Sequence, residues 1–314
     1  MDNNIALLKK SNKNTGFHEM LRKIKKQRSL LLMLLPGVIF FVVIRYLPYE
    51  KIYWAFTNYG DSPDVKFIGL QNFKELFASK EFIRVFFNTL IISFLNLIFG
   101  FPVPIIIALL LNEMKNKYVS KTIQTIIYLP NFISMVVVAS IWYIALSPTN
   151  GFLVPLFNLL DQKPIFFMAD SRYFRGILVA SNIWKGAGFN AIIYLASMSS
   201  IDPQLYESAI IDGANKWRQA INITIPQISG TIATLLLLQL TGILNIFMQV
   251  LIMARPIVYD VANVVDLYAY QTGVQNMRLG YGTAINLFKA LVSLILVIIA
   301  NILTKKINGD EAVM

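Results

Sequence analysis

The sequence predicts an all-α integral membrane protein that crosses the bilayer six times. Of its 314 residues, 56% are hydrophobic and 14% are charged, whereas soluble domains carry about 25% charged residues. Apolar runs recur along the chain, and each approaches or exceeds the roughly 20 residues that a helix needs to cross a bilayer. The predicted spans cover residues 30–47, 85–111, 122–146, 174–198, 227–254 and 284–303.

A basic tail precedes the first span. Residues 1–29 contain a dense group of lysine and arginine side chains directly ahead of the apolar run, a pattern that keeps an N-terminus in the cytoplasm next to anionic lipid. A cleaved signal peptide is the alternative, but no small-x-small site follows, and Arg45 and Pro48 close the run. Six spans then place the second tail, residues 304–314, in the cytoplasm as well.

Three prolines lie inside the second and third predicted spans. Pro102, Pro104 and Pro130 each remove a backbone donor. Membrane helices tolerate this loss because neighbouring helices and water satisfy the freed carbonyl groups. We therefore expect kinks at these positions.

A polar segment, residues 203–226, separates the fourth and fifth spans. Asp202 followed by Pro203 is typical of a helix N-terminus, because Asp accepts hydrogen bonds from free amides and Pro loses no useful donor at the first position. Gly213 supplies the backbone freedom to end that helix. Residues 214–221 can form a second short helix, so the segment is predicted to be a helix-turn-helix in water.

The spacing within this segment resembles the EAA loop of ABC importer permeases. That motif runs Glu-Ala-Ala, three residues, Gly, nine residues, Ile, one residue and Leu-Pro. The spacing matches throughout, with Ser208 in place of the middle Ala and Ile225 in place of Leu. The alternative is an ordinary amphipathic connector. The resemblance implies contact with an ATPase for the following residues: Glu207, Ala209, Asp212, Gly213, Ala214, Trp217 and Pro226.

Other strings extend the resemblance over most of the chain. Residues 67–73 (Phe-Ile-Gly-Leu-Gln-Asn-Phe) are similar to a signature of sugar-importing ABC permeases, and Asn88-Thr89 is similar to the Asn-Thr that opens their next span. Strings at residues 128–134, 147–151 and 183–186 resemble the oligosaccharide branch. The implied fold is the type I ABC importer permease fold.

The resemblance also implies the partners and the location. They are a second, homologous permease subunit in a heterodimer, two ABC ATPase subunits that use ATP and Mg, an extracytoplasmic solute-binding protein, and the lipid of the bacterial cytoplasmic membrane. This chain is expected to bind no cofactor itself. It contains no Gly-x-x-x-x-Gly-Lys-Ser/Thr loop for ATP.

Several other classes of function are disfavoured. The chain has no Cys, and its single His18 lies in the basic tail, so we expect no metal site and no catalytic site of its own. The net charge of +11 is not arranged as a basic stripe with aromatics, so nucleic acid is not an expected partner. Residues 279–282 (Leu-Gly-Tyr-Gly) resemble a channel filter, but they follow Arg278 in a polar loop without a preceding pore helix.

Polar residues at membrane depth are the candidate substrate pathway, because they are costly there. Asn182, Gly186 and Phe189 share one helix face, and Gly242, Asn245 and Gln249 repeat the pattern in the fifth span. Ser134 and Asn286 could complete the lining. Interhelical packing is the alternative for each of them.

Two lysines lie within predicted spans. Lys185 needs water, a partner or a ligand there. The ligand could be an acidic sugar, and the partner could be a neighbouring subunit's carboxylate or a backbone carbonyl. Lys289 lies nearer the outer end of its span and is expected to reach the interface along its own stem.

Together these observations predict the permease subunit of a bacterial ABC importer that moves a carbohydrate, in particular an oligosaccharide, with ATP hydrolysed in other subunits. One alternative is an ABC permease for another solute, such as a polyol, glycerol phosphate or a peptide. The other is a stand-alone channel or a membrane scaffold.

Overall fold

The structure, a computed structural model, describes residues 27–308, and these are helical almost throughout. They contain no β-strand, only two isolated β-bridges. The remaining residues of the two tails, 1–26 and 309–314, lie outside the described part. In chain order the α-helices are α1 Arg28–Phe41, α2 Gln71–Ala78, α3 Lys80–Leu95, α4 Pro102–Asn112, α5 Lys117–Tyr128, α6 Met135–Ala145, α7 Val154–Leu159, α8 Ser171–Met198, α9 Pro203–Ile211, α10 Lys216–Gln219, α11 Ile225–Gln227, α12 Ser229–Thr241, α13 Phe247–Met253, α14 Tyr259–Ala262, α15 Val265–Ala269 and α16 Leu279–Asn308.

Three helical stretches of the described chain are long and apolar enough to cross a membrane: Arg28–Phe56, Lys80–Asn112 and Leu279–Ile302. Two bent pairs raise the number to five. They join Lys117–Phe132 to Met135–Ala145 and Lys216–Gln227 to Ser229–Thr241. The helix α8 has 28 residues, but polar side chains interrupt its apolar composition. The total of six spans therefore stays a prediction.

The chain divides into two compact units, of which the first ends at Tyr53. In the first unit, every residue from 27 to 53 is exposed, and the sequence there is strongly apolar. An apolar helix whose side chains are all exposed in this way is suited to lipid or to another membrane chain.

In the second unit, the third predicted span is sharply bent. The helix α5 continues as a 3-10 turn, Leu129–Phe132, and the chain then turns by 105° into α6. Pro130 lies in this turn, so the kink expected at this proline is present. Ser134 caps α6, since its hydroxyl accepts a hydrogen bond from the amide of Val137 at 3.4 Å. By contrast, Pro102 and Pro104 lie in the first turn of α4 and follow a π-helical turn, Asn96–Gly100.

The fifth predicted span is not one helix. The helix α12 ends at Thr241 and α13 begins at Phe247. In the break between them, the Ser93 hydroxyl donates a 2.7 Å hydrogen bond to the carbonyl oxygen of Ile243. A side chain of α3 thus satisfies one of the backbone groups that the break leaves free, as membrane burial requires.

The pair Asn88-Thr89, part of the family resemblance, binds the backbone around the short helices α14 and α15. The Asn88 amide donates to the carbonyl oxygens of Asp260 and Asn263 at 3.0 and 3.2 Å. The Thr89 hydroxyl accepts from the amide of Val265 at 2.9 Å. Both side chains are buried, so they replace the backbone hydrogen bonds that a regular helix would have made.

The string at residues 67–73 is also explained by backbone geometry. Gly69 has a φ of 61°, which favours glycine. Asn72 is 1% exposed and donates to the carbonyl oxygens of Ala55 and Thr57, each at 2.9 Å. Together these two residues fix the loop that leads into α2.

Arg278 fastens the same loop to the start of α16. Its guanidinium donates to Asp61 at 2.8 Å and to Glu75 at 2.6 Å, and it lies over the ring of Tyr281. The hydrogen bonds to Glu75 and then to Asp61 hold the pKa of this guanidinium above its usual value. Bidentate contacts of this kind are the stronger class of ion pair.

The string at residues 279–282 is a packing element. A β-carbon on Gly280 would lie 2.5 Å from the carbonyl oxygen of Thr57, and one on Gly282 would lie 2.6 Å from the Cα of Gly273. These glycines therefore allow two close backbone approaches, which accounts for them without a filter.

Candidate translocation pathway and exposed helical loop

The polar segment between α8 and α12 forms the predicted helix-turn-helix. Asp202 caps α9 by accepting from the amide of Gln204 at 3.0 Å, and Pro203 occupies the first helical position. At the other end, the amide of Gly213 donates to the carbonyl of Ile210 at 3.0 Å, and that of Ala214 donates to Ala209 at 2.8 Å. This bond pair is a Schellman motif.

Gly213 is the left-handed residue that this motif needs, with a φ of 76°. Residues with a β-carbon disfavour that conformation. An ideal β-carbon at Gly213 would meet nothing within 4 Å. The constraint at this position therefore lies in the backbone angle and not in crowding.

The second arm of the loop is longer than predicted. It runs from α10 through a π-helical turn to α11, over Lys216–Gln227, and then bends by 65° into α12. Pro226 lies in α11, close to this bend.

Two hydrogen bonds form within the loop. The amide nitrogen of Gln219, which is 2% exposed, donates to the carbonyl of Ala214 at 3.0 Å. The hydroxyls of Tyr206 and Thr224 are 2.9 Å apart, which joins the two arms. The two arms of the loop are therefore in contact at this point.

One face of the loop is exposed and apolar. Ile211 is 86% exposed and Trp217 is 73% exposed. Glu207 and Asp212 are exposed beside them, and neither makes a side-chain hydrogen bond or ion pair among the described residues. Exposed large apolar side chains, and tryptophan in particular, are typical of a surface that binds another protein.

The loop is connected to the helices behind it. Lys216 forms an ion pair with Glu113, at the end of α4, with a distance of 3.0 Å. Just past α11, Ile228 is 1% exposed and packs in a cluster with Ala108 of α4 and Tyr194 of α8. A displacement of the loop would thus reach both α4 and α8.

Three adjoining cavities lie among the helices of the second unit, with volumes of about 310, 370 and 550 Å³. The first and second share Asn182 and Gln239, and the second and third share Asn245 and Met248. The neighbouring cavities therefore share walls and form a series. Its polar lining comprises Asn96, Asn182, Lys185, Asn190, Gln239, Asn245, Gln249, Asp266, Asn286 and Lys289, together with the tyrosines Tyr194 and Tyr270.

Most of the predicted pathway residues line these cavities. Asn182 and Gly186 line the first, and Asn286 lines the third. The residues of the second cavity that were predicted from sequence are Asn182, Lys185, Gly242, Asn245 and Gln249.

Two predicted pathway residues line none of the three cavities. Ser134 is the N-cap of α6. Phe189 is 41% exposed and packs edge-to-face on Phe132, with ring centroids 5.9 Å apart. For Ser134, helix capping already accounts for a hydroxyl at this depth.

Gln249 both lines a cavity and makes an interhelical contact, the two roles considered for these polar residues. Its amide nitrogen donates to the carbonyl of Leu178 at 2.7 Å and to the hydroxyl of Ser181 at 2.8 Å. The side chain therefore joins α13 to α8 while it borders the second cavity. Its capacity to donate hydrogen bonds is already used.

Lys185 is held by backbone carbonyl groups. Its ammonium lies 2.8 Å from the oxygen of Asn131, 2.7 Å from that of Ile133 and 3.4 Å from that of Pro130. The bend after α5 exposes these oxygens. The lysine thus donates to carbonyl groups that the broken helix leaves without partners. A backbone carbonyl was one of the partners considered from sequence.

The expectation for Lys289 is wrong. Its ammonium binds side chains of the same chain instead, 2.5 Å from Asp266 and 2.6 Å from the amide oxygen of Asn245. The side chains of Lys289 and Asp266 are only 13% and 14% exposed. Sequence reasoning missed Asp266, although an acid inside the apolar string at 264–268 was a signal.

Asn96 was also missed. It is 6% exposed, borders the second cavity and accepts a 3.0 Å hydrogen bond from Asn182. Its own amide nitrogen has no partner among the described residues. Among all the residues that the structure describes, no group of three or more His, Asp or Glu side chains is placed to hold a metal ion.

Two known permease-sized proteins are similar to this chain over more than nine tenths of its length. The chain is 38% identical to the polygalacturonan/rhamnogalacturonan transport system permease protein YteP of Bacillus subtilis (strain 168), over 94% of this chain and 92% of YteP. It is 37% identical to protein LplB of the same organism, over 91% of this chain and 92% of LplB.

A solved structure is similar over nearly the whole chain. It is the crystal structure of a bacterial alginate ABC transporter in complex with an alginate pentasaccharide-bound periplasmic protein. The match has a TM-score of 0.86 and 40% identity, and it covers 92% of this chain and 98% of that chain. A second structure, of a bacterial ABC transporter involved in the import of the acidic polysaccharide alginate, matches with the same score and identity.

A family description matches residues 100–309, which include the helical loop and most of the cavity lining. The resemblance drawn from the EAA spacing is thereby confirmed, as is the permease fold. The chain belongs to the family of binding-protein-dependent transport system inner membrane components.

Proposed function

We propose that this chain is the permease subunit through which an oligosaccharide crosses the bacterial cytoplasmic membrane. The observation that carries the proposal is the series of three adjoining cavities whose polar lining consists mainly of side-chain amides. An amide both donates and accepts hydrogen bonds, which suits the hydroxyl groups of a sugar. A series of cavities, rather than a single small one, suits a chain of several sugar rings.

The names of the relatives support a carbohydrate as the solute. YteP is named for polygalacturonan and rhamnogalacturonan, and the similar solved transporter carries alginate in its description. A polyol or a peptide would be an alternative solute for the same architecture.

Energy would come from outside this chain. The exposed face with Trp217 and Glu207 is the proposed contact for one of two ABC ATPase subunits, which hydrolyse ATP with Mg. Closure of the ATPases would displace the loop as a rigid body, and α4 and α8 would move with it. Such rocking around a fixed central site is common in transporters. A second, homologous permease subunit would complete the pathway, and an extracytoplasmic binding protein would deliver the sugar.

Uptake by the reconstituted transporter tests this proposal. The chain is reconstituted in liposomes with the second permease, the ATPase and the binding protein encoded beside it, and labelled oligosaccharides are supplied outside. We expect uptake that requires both internal ATP and the binding protein. Uptake that continues without the ATPase would indicate a channel instead, and ATP-dependent uptake of peptides but not of sugars would reassign the solute.

We also propose that both termini lie in the cytoplasm, since six spans and a basic N-terminal tail require it. Reporter fusions at Met1 and Met314 are expected to give cytoplasmic signals. If either end reported an external location, the six-span topology would be wrong, and the loop at residues 203–226 would lose its access to an ATPase.

A further inference from the structure

In the lining of the three cavities, the positive and negative charges do not cancel. The first cavity has no charged residue in its lining, the third has Lys289 and Asp266, and the second has only Lys185. Lys289 and Asp266 form an ion pair at 2.5 Å and cancel each other's charge. The described lining therefore carries a net charge of +1, and Lys185 is its source.

The contacts of Lys185 do not remove this charge. Its ammonium is bound by three neutral carbonyl oxygens and, among the described residues, by no carboxylate. Carbonyl dipoles stabilise a cation, but they leave its field intact beyond the first contact. A charge in a partly buried cleft acts over a longer distance than a charge in bulk water.

A carboxylate is the chemical counterpart of this cation. It carries a negative charge and has only acceptor oxygens. The amides that share the second cavity with Lys185, among them Asn96 and Asn245, are neutral and do not oppose its charge.

From these observations we infer that Lys185 makes the pathway selective for anionic oligosaccharides, in which the sugar rings carry carboxylate groups. The inference rests on the proposed function and narrows its substrate class. Lys185 acts through its field and need not leave the carbonyl oxygens, so it serves as a specificity determinant and not as a hydrogen-bond ligand. Neutral oligosaccharides gain nothing from that field.

Binding of a matched pair of sugars tests the inference. The pair is trigalacturonate and its methyl ester, which have the same rings but differ in charge. Each is titrated onto the purified transporter complex, without binding protein, in nanodiscs of uncharged lipid. We expect the wild-type complex to bind the acid at least about tenfold more tightly than the ester.

Two variants separate the charge from the structural contact. Lys185→Gln keeps side-chain donors for the carbonyl oxygens but removes the charge, and we expect it to lose the preference for the acid. Lys185→Arg keeps the charge and should keep the preference. Equal binding of acid and ester by the wild-type complex, or no binding of the acid at all, would overturn the inference. An unchanged preference in Lys185→Gln would overturn it as well.

The comparison of acid and ester in the wild-type complex needs no variant, so it stands even if Lys185→Gln fails to assemble. ATP-driven uptake of both sugars by wild-type liposomes tests the proposed function separately. Equal ATP-driven uptake of acid and ester, with equal binding, would leave the proposed function intact and remove only the inference about charge.

Discussion

Gly213→Val is expected to abolish ATP-driven uptake while the chain still inserts and pairs with its partner permease. Gly213 adopts a φ of 76° in the Schellman motif that ends α9. A β-branched residue in this region is a true outlier and costs on the order of 1–3 kcal/mol. The turn would relax to another conformation, and the arm that begins at Lys216 would point elsewhere.

The measurement is uptake together with co-purification of the ATPase. We expect loss of uptake either with the ATPase detached or with ATP hydrolysis that no longer responds to the loaded binding protein. Gly213→Asn is the matched control, because asparagine tolerates the left-handed region, and it should keep much of the wild-type uptake. Normal coupling in Gly213→Val would contradict the role of the loop as a rigid lever.

The loop was predictable because its determinants are local in sequence. The cap at Asp202, the proline after it and the glycine at position 213 each act within a few residues of themselves. The structure shows all three in the expected geometry. The exposed face of the loop was also accessible from sequence, since Trp217 lies in a polar segment outside the spans.

The lining of the cavities was predictable only in part, because long-range pairing decides which polar side chains remain available. The pair of Asp266 and Lys289 joins residues 23 positions apart, and periodicity within one helix cannot show such a contact. The same holds for Gln249, whose donors are used by α8. The break between α12 and α13 was missed because its residues are mostly apolar and so do not interrupt the hydropathy of the run.

Two glycines of α8 also differ in a way that only the packing of the helices shows. Gly186 and Gly188 are two residues apart in this helix. The sequence places Gly186 on the face of Asn182 and Phe189, but it does not show that Gly188 lies at a close contact. A β-carbon on Gly186 would meet only the side-chain nitrogen of Asn190, at 3.7 Å. A β-carbon on Gly188 would lie 2.1 Å from the carbonyl oxygen of Ile127. One glycine borders a cavity, and the other allows α8 to pack on α5.

Gly186→Leu is therefore expected to block transport without preventing assembly. The leucine side chain would project into the first cavity, which Gly186 lines together with Asn182 and Gln239. We expect uptake to fall by more than about tenfold, which corresponds to a barrier raised by roughly 1.4 kcal/mol. The amount of assembled complex and the binding of the ATPase should match those of the wild type, since a β-carbon at this position makes only an ordinary contact with Asn190 and the rest of the side chain extends toward the cavity.

Gly188→Ala provides the contrast, because even one methyl group would force the backbones of α5 and α8 apart. Overpacking of this kind costs about 1–3 kcal/mol or more, so we expect less assembled complex and a lower unfolding temperature. Assembly and uptake are measured side by side in both variants. Unchanged uptake in Gly186→Leu would mean that the sugar passes along another face of α8, and a loss of assembly in that variant would mean that the first cavity is a packing interface with another subunit.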